Sequence, residues 1–262
     1  MSASEPEEDE NGNVTELVNS GAEIAGGAIG ASIGLLGGPL GVVAGSAAGV
    51  VATKVLRRVG SDLSQRLLGP REKVRVGGTL ALATATIQMR IDAGEPIRND
   101  DFFNRPNGAR SKADEFAEAI LLKAQREAEE KKIPYIAQFL ANAVFDSRLN
   151  VEMAHQLIKA ADSLTYRQFI LLKLAAVKQQ YNLRSERYGA GTFNRGLVQV
   201  MYEIYDLARR EFINFSGTKA LGVSDVIPAA MSPMGMGAHL FNYLRLQNIP
   251  DAEVLPLARI LA

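Results

Sequence analysis

The side chains that could perform chemistry are few and scattered in this sequence. There is no cysteine, and the two histidines, His155 and His239, stand beside apolar residues without a second metal ligand at a fixed spacing. We expect both imidazoles to lie in or near the core. Asp100 and Asp101 form a close acid pair, but they lie in a turn-rich segment, where Asp commonly caps backbone N–H groups. The sequence predicts no catalytic residue, no metal site and no cofactor.

The most regular spacing in the chain belongs to glycine. Residues 24–53 carry no charge, and two glycine rows with a period of four run through them. Residues i and i+4 share one face of a helix, so each row forms a groove that a second helix can approach closely. Such contacts are typical of helix packing in lipid, where burying apolar surface gives no gain. We expect membrane or oligomer packing by Gly26, Gly30, Gly34, Gly38, Pro39, Gly41, Gly45 and Gly49.

The sequence Gly37-Gly38-Pro39 interrupts the uncharged block and leaves two membrane arrangements open. Two helices near 21–36 and 40–58 would form a hairpin with arms of roughly 22 Å, short of the ~30 Å hydrocarbon core. One long kinked helix would span about 45 Å and cross with tilt. A third interpretation needs no lipid: the block is a buried hairpin in an ordinary helical bundle. A glycine-rich phosphate loop is disfavoured, because no Gly-Lys-Ser/Thr sequence ends it.

The net charge of zero conceals an ordered arrangement. The first 23 residues contain seven acids and no base, whereas residues 54–75 contain seven bases and two acids. We interpret residues 1–20 as a disordered acidic tail. The basic cluster follows the uncharged block, where Lys and Arg are attracted to anionic lipid, so Lys54, Arg57 and Arg58 are the candidate headgroup contacts. The same asymmetry predicts a cytoplasmic location for the C-terminal side.

Residues 70–162 show helical periodicity and predict a helical bundle. Helices are expected from Pro70 to Gly94, from Ser111 to about Lys132, over 135–146 and over 151–162, with a loop at 95–110 that Phe102 and Phe103 attach to the body. Ser111 with Asp114 is typical of a capping box. The charged run from Glu127 to Lys132 is expected to be a solvated helix face.

Residues 163–262 predict a winged-helix-like domain. A helix capped by Thr165 and Gln168 is followed by a helix over 193–211, and then by FINF, a turn at Ser216-Gly217, ALGVSDVI, AMSPM, a helix over 235–246 and a last helix over 251–261. The order helix, strand, wing, strand, helix, with the wing over 214–230, is that of the last half of a winged-helix unit. Such a unit suggests DNA, and the bases that could contact it are Arg184, Arg187, Arg209 and Arg210. The C-terminal segment carries only a small basic excess, which disfavours nucleic acid as the partner. The fold class is therefore mainly α, with an N-terminal glycine-rich hairpin or membrane segment over 21–68, a bundle and this domain.

Two stretches, EEKKIPYIAQFLANAVFD and AHQLIKAADSLTYRQFILL, carry a resemblance to a known family. Together with the glycine-rich apolar start and the winged-helix-like end, they are similar in layout to bacterial proteins of the abortive-infection alpha type. The likeness covers about residues 115–175. It implies a role in defence against phage, with membrane damage as the mode of action.

The sequence thus favours a non-enzymatic bacterial effector that is cytoplasmic at rest and associates conditionally with the inner membrane. Its expected partners are an anionic membrane surface, further copies of the chain and an unidentified trigger protein. Two alternatives stay open. One is a winged-helix DNA-binding regulator, and the other is a structural or adaptor protein whose glycine hairpin is core.

Overall fold

The computed structural model describes residues 5–26, 47–66, 68–188, 193–216 and 222–262, with the backbone alone for 5–11 and 47–48. The protein is mainly helical and has a small two-stranded antiparallel sheet. It divides after Asp162 into two compact units, which we call unit 1 (residues 1–162) and unit 2 (residues 163–262).

Unit 1 is a helical bundle arranged around one long helix. Its helices are α1 (Glu5–Ser20), α2 (Ala22–Ala25), α3 (Ala47–Ser64), α4 (Pro70–Asp92), α5 (Lys112–Arg126), α6 (Ile133–Ala143) and α7 (Val151–Asp162). Helix α4 contacts α1, α2, α3, α5 and α6. Small residues on α4, among them Gly77, Gly78, Ala81 and Ala83, are buried, and they let several neighbours approach this helix at once.

Helix α1 replaces the disordered tail that we expected over residues 1–20. Its C-terminal half places Val14, Leu17 and Val18 at the i, i+3 and i+4 spacing of one helix face, and all three are buried. This face packs against α3 and α4. The acids that suggested disorder lie mainly in the N-terminal half of α1, where negative charge interacts favourably with the helix dipole. The composition rule was wrong here because three aliphatic residues are enough to dock the helix.

The helix starts in unit 1 follow the signals in the sequence. The Glu72 carboxylate accepts a hydrogen bond from Gly69 N at 2.7 Å, and Pro70 occupies the first turn of α4. At α5 the predicted capping box is confirmed: Ser111 Oγ accepts from Asp114 N at 3.1 Å, and Asp114 Oδ2 accepts from Ser111 N at 2.8 Å. Helix α5 ends at Arg126, earlier than expected, and a 3-10 turn over Glu130–Lys132 precedes α6.

The connection between α4 and α5 is held by Arg98. Its guanidinium donates to the carbonyl oxygens of Ala143 and Leu149, both at 3.1 Å, and to Asp100 Oδ1 at 2.7 Å. It also lies 4.1 Å from the ring centroid of Phe102, which is buried as predicted. A guanidinium with five donors can serve several acceptors at once, so one side chain fixes this loop to the bundle.

Unit 2 contains four α-helices and both strands among its described residues: α8 (Tyr166–Ala176), α9 (Arg195–Arg209), β1 (Ile213–Phe215), β2 (Met231–Pro233), α10 (Gly235–Tyr243) and α11 (Asp251–Ile260). Helix α8 is central and contacts α9, α10, α11 and β2. The predicted Thr165 cap is confirmed, because Thr165 Oγ1 accepts from Gln168 N at 3.2 Å. Lys173 links α8 to the start of α11 through Asp251 Oδ1, at 2.6 Å.

The small sheet of unit 2 joins the FINF segment to the AMSPM segment that follows the expected wing over residues 214–230. Strand β1 pairs antiparallel with β2, with Ile213 opposite Pro233 and Phe215 opposite Met231. The segment ALGVSDVI, within the expected wing, lies partly outside the described residues, and its described part holds a 3-10 turn over Val223–Asp225. The Asp225 carboxylate accepts from Gly222 N at 3.1 Å and thereby closes this turn.

Candidate functional site

The glycine rows lie mostly outside the described part of the chain. Gly30, Gly34, Gly38, Pro39, Gly41 and Gly45 fall within residues 27–46, which the structure does not describe. Gly26 ends α2 with a positive φ of 52°, a conformation that favours glycine. Gly49 is buried in the first turns of α3, and its carbonyl accepts from Thr53 Oγ1 at 3.0 Å. The structure therefore shows where the flanks of the glycine-rich segment are held.

The flank on the N-terminal side makes a backbone-to-backbone contact that sequence reasoning missed. A Cβ on Gly21 would overlap the backbone nitrogen of Gly78, and a Cβ on Gly77 would overlap the carbonyl oxygen of Leu17. No side chain fits at either point, so the α1–α2 corner touches the backbone of α4 directly. The signal was present in the sequence as the pair Gly77-Gly78 inside a helical pattern, where paired glycines lower helix propensity without an evident local reason.

The flank on the C-terminal side is held by α3. A Cβ on Gly60 would lie 3.1 Å from Leu80 Cδ1 and 3.5 Å from Val14 Cγ2, so α3 packs closely against both α4 and α1. The aliphatic residues Leu56, Val59 and Leu63 of the same helix are buried. Val51 lies near the start of α3 and is 37% exposed, so the apolar surface of this helix is only partly covered where it follows the glycine-rich segment.

The three candidate headgroup contacts are placed very differently. Lys54 is exposed on α3, whereas Arg57 is buried. Arg58 forms an ion pair with Asp114, whose side chain is only 2% exposed, and its Nε lies 3.1 Å from Asp114 Oδ1. In this folded state Arg57 is buried and Arg58 is paired, and their contact with headgroups after release of the segment stays a prediction.

Asp114 joins two elements with one carboxylate. Burial raises the pKa of this carboxyl, but hydrogen bonds from Arg58 and from Ser111 outweigh burial and leave the pKa below its ordinary value. The side chain thus stays ionised at neutral pH while it caps α5 and holds α3. Any movement of α3 away from the bundle must first break this contact.

Much of the remaining basic cluster is also paired within unit 1. Arg66 pairs with Glu118 and Arg71 with Glu130. Two further pairs come from the acidic N-terminal region: Arg71 Nη1 lies 2.8 Å from Glu23 Oε2, and Lys73 Nζ lies 3.4 Å from Glu16 Oε1. The acidic start and the basic cluster, which the sequence presents as separate features, therefore meet where α1 and α2 pack on α4.

The expected solvated face between Glu127 and Lys132 is partly a buried charge cluster. Lys132 is 1% exposed and Glu127 is 5% exposed, and Lys132 Nζ lies 2.8 Å from Glu127 Oε2. Lys123 pairs with the same Glu127 and, at 2.8 Å, with Asp162 Oδ1. The prediction was wrong because α5 ends at Arg126 and the chain turns inward, which a helical interpretation of the charged run does not anticipate.

The residues whose side chains could perform chemistry do not lie close together. His155 and His239 are exposed, contrary to the expected core positions. Asp100 binds Arg98 and accepts from Phe102 N at 3.4 Å, so it caps a turn as its position suggested. Within the described ranges, no group of three His, Cys, Asp or Glu side chains is arranged to hold a metal ion.

The arginines of unit 2 that could contact nucleic acid are largely used within the unit. Arg187 Nη1 lies 3.3 Å from Asp225 Oδ1, and Arg210 Nη1 lies 3.4 Å from Asp206 Oδ2. Arg184 donates to the carbonyl oxygens of Glu186 and Arg187, both at 3.3 Å. Arg209 is exposed at the end of α9. Three of the four bases are thus engaged by acceptors of unit 2 itself, which leaves less free positive charge for the phosphate contacts that dominate nucleic-acid affinity.

In the part of the chain that the structure describes, no helix combines the length and the apolar character needed to cross a bilayer. Comparison with known proteins found no matching family model, no matching curated protein and no matching solved structure.

Proposed function

We propose that the protein is a membrane-associating effector whose active element is the uncharged glycine-rich segment within residues 21–58. The observation that carries this proposal is the pair of glycine rows in thirty residues without a charge. Glycine rows permit close helix contacts, and such contacts suit lipid or an oligomer. Gly30, Gly34, Gly41 and Gly45 are the packing residues in this proposal, and several copies of the chain assemble through them.

The arrangement of the flanks supports conditional rather than permanent membrane association. Helix α2 seats on α4 through Gly21, and α3 is held by Arg58 and Asp114. Both flanks must leave these positions before residues 21–58 can enter a bilayer. Separating an ion pair with one buried partner costs several kcal/mol, so α3 stays in place until another interaction compensates.

The likeness to abortive-infection proteins supports a role in defence against phage. In that setting the protein is cytoplasmic at rest, an unidentified trigger releases the segment, and the anionic inner membrane receives it. Cells expressing the protein would then show reduced plating of a sensitive phage. A loss of membrane potential should accompany infection.

The test is fractionation of full-length protein between membrane and cytosol in phage-infected cells, where the proposed trigger is present, compared with the Gly34→Leu, Gly41→Leu double variant. We expect the double variant to lose membrane recovery and toxicity while its helical circular dichroism is unchanged. The matched control is Gly12→Leu with Gly196→Leu, which adds the same two side chains where a Cβ comes no nearer than 3.4 Å to another atom. Equal membrane recovery of wild type and both double variants would rule out packing through the glycine rows as the cause of membrane association.

A second candidate function is duplex DNA binding by unit 2, and one observation favours it. Helix α9 directly precedes β1 of the antiparallel pair, which is the order of a winged-helix unit, and its exposed residues include Arg195, Tyr202 and Arg209. This candidate predicts salt-dependent binding of duplex DNA that Arg209→Ala weakens. If the protein does not bind duplex DNA at low salt, this candidate function is excluded.

A further inference from the structure

We infer that the acidic arm, defined as residues 5–25 with helices α1 and α2, is an autoinhibitory element that competes with anionic lipid for the basic residues of α4. The inference rests on the proposed function and names how the same segment is regulated. It follows from the position of the arm, which continues into the glycine-rich segment at Gly26 and packs on α3, the helix that follows the segment.

The arm is seated by apolar contacts on the body. Val14, Leu17 and Val18 are buried where α1 packs on α3 and α4, and Val14 approaches Gly60 of α3. Burial of three aliphatic side chains is a larger stabilisation than an exposed ion pair supplies. The apolar face therefore supplies the larger part of the stabilisation of the arm on the body, and the ion pairs supply the rest.

The closest contact lies where the arm meets the segment. Gly21 touches the backbone of α4 at Gly78, and Ile24 covers Gly78 so closely that a Cβ there would lie 2.9 Å from Ile24 Cβ. The chain enters the glycine-rich segment two residues later, at Gly26. Residues 21–58 cannot leave the body as a unit while this contact persists.

The charges of the arm occupy the bases that a membrane would attract. Glu16 pairs with Lys73 and Glu23 pairs with Arg71, and all four side chains are at least 39% exposed. Anionic lipid headgroups attract Lys and Arg near an apolar segment. A carboxylate on the arm and a lipid phosphate therefore compete for the same two cations, and lipid binding to them removes part of what holds the arm.

The first experiment locks the arm. Because the chain has no cysteine, Glu16→Cys with Lys73→Cys supplies two unique thiols that a bifunctional maleimide can join. Binding is measured to vesicles containing phosphatidylglycerol and to vesicles of phosphatidylcholine alone. We expect the linked protein to lose binding to the anionic vesicles, whereas the same variant capped with N-ethylmaleimide, which lacks Lys73 equally, still binds them, more weakly than wild type by the loss of one cation. The control link joins Asp101→Cys to Lys112→Cys, a pair outside the arm, and should leave binding unchanged.

The second experiment removes the charges of the arm without a link. Glu16→Gln with Glu23→Gln should raise binding to anionic vesicles roughly two- to thirtyfold, the range expected for two exposed ion pairs. The matched control is Glu115→Gln with Glu152→Gln, which changes the net charge equally at exposed positions outside the arm. An equal rise in vesicle binding by both double variants means that binding depends on net charge alone. This result overturns the proposed competition between the arm and lipid.

The outcomes separate the inference from the proposed function. Binding to anionic vesicles that survives the link between Glu16→Cys and Lys73→Cys overturns the inference and leaves the proposed function standing. Absence of binding in wild type, in the capped variant and in the charge variant overturns both. Binding that the arm link alone abolishes supports both.

Discussion

Asp114 shows how much of unit 1 depends on single carboxylates. It caps α5 through Ser111 and pairs with Arg58 of α3, and its side chain is almost fully buried. The sequence predicted the cap, because Ser followed three residues later by an acid is a local pattern. It could not predict the pairing with Arg58, since that contact joins positions 56 residues apart and depends on tertiary packing.

Asp114→Asn should destabilise unit 1 by about 2 kcal/mol at neutral pH, because the half-buried Arg58 loses its partner while an amide oxygen can still accept from Ser111. The folded-state pKa of Asp114 lies below its ordinary value. The ionised carboxylate therefore stabilises the fold fully when the pH is above the ordinary pKa of an aspartate. This contribution is lost as the pH falls through the folded-state pKa. Urea unfolding at neutral pH and in acid measures both effects.

The difference between wild type and Asp114→Asn should therefore shrink in acid. Asp101→Asn serves as the control, because Asp101 pairs with Lys112 at an exposed position and should affect unfolding much less. A difference that is the same at both pH values contradicts the assigned role of the charge.

At the scale of elements, local signals located most helices and missed how they pack. The helices beginning at Pro70, after Ser111 and after Thr165 carry start signals that the sequence displays, and they form as predicted. The fold of α1 was missed because only a few aliphatic residues mark its buried face among many acids. The glycine period pointed to residues 24–53, whereas the close contact in the described structure uses Gly21 with the pair on α4.

Gly77→Ala should destabilise the packing of α1 on α4 by about 1–3 kcal/mol, since the new methyl group overlaps the Leu17 carbonyl oxygen. Gly12→Ala is the matched control on α1, where a Cβ meets open space and the higher helix propensity of alanine should be neutral or stabilising. Thermal unfolding followed by circular dichroism compares the two. We expect Gly77→Ala to lower the melting temperature and Gly12→Ala to leave it unchanged or raise it. Equal melting temperatures for Gly77→Ala and wild type would show that the contact yields easily to an added methyl group.

At the scale of the whole molecule, the chain consists of two units with separate internal packing. Unit 2 has its own buried residues on α8, its own sheet and the Lys173–Asp251 connection. The sequence indicated helices and two short strands on either side of a wing in this region, but the register that pairs residues 213–215 with 231–233 is one that local patterns do not encode.

Residues 163–262 expressed alone should fold, because this unit is compact and has a hydrophobic core of its own. The measurement is helical circular dichroism with a cooperative thermal transition. The matched comparison is a fragment of residues 70–162, which lacks α1, α2 and α3 and exposes the faces of α4 that they cover, so it should be less stable or aggregate. A non-cooperative transition for residues 163–262 contradicts the independence of unit 2.

The contact of Gly21 with Gly77 and Gly78 also limits the positions that the arm can take on the body. Backbones in direct contact have no flexible side chains between them to stretch or reorient, and dispersion attraction falls steeply over a gap of about 1 Å or less. The arm is therefore either seated or separated, with no stable position between. Each molecule therefore has its arm either on or off the body, and a stronger stimulus raises the fraction of molecules whose arm is off.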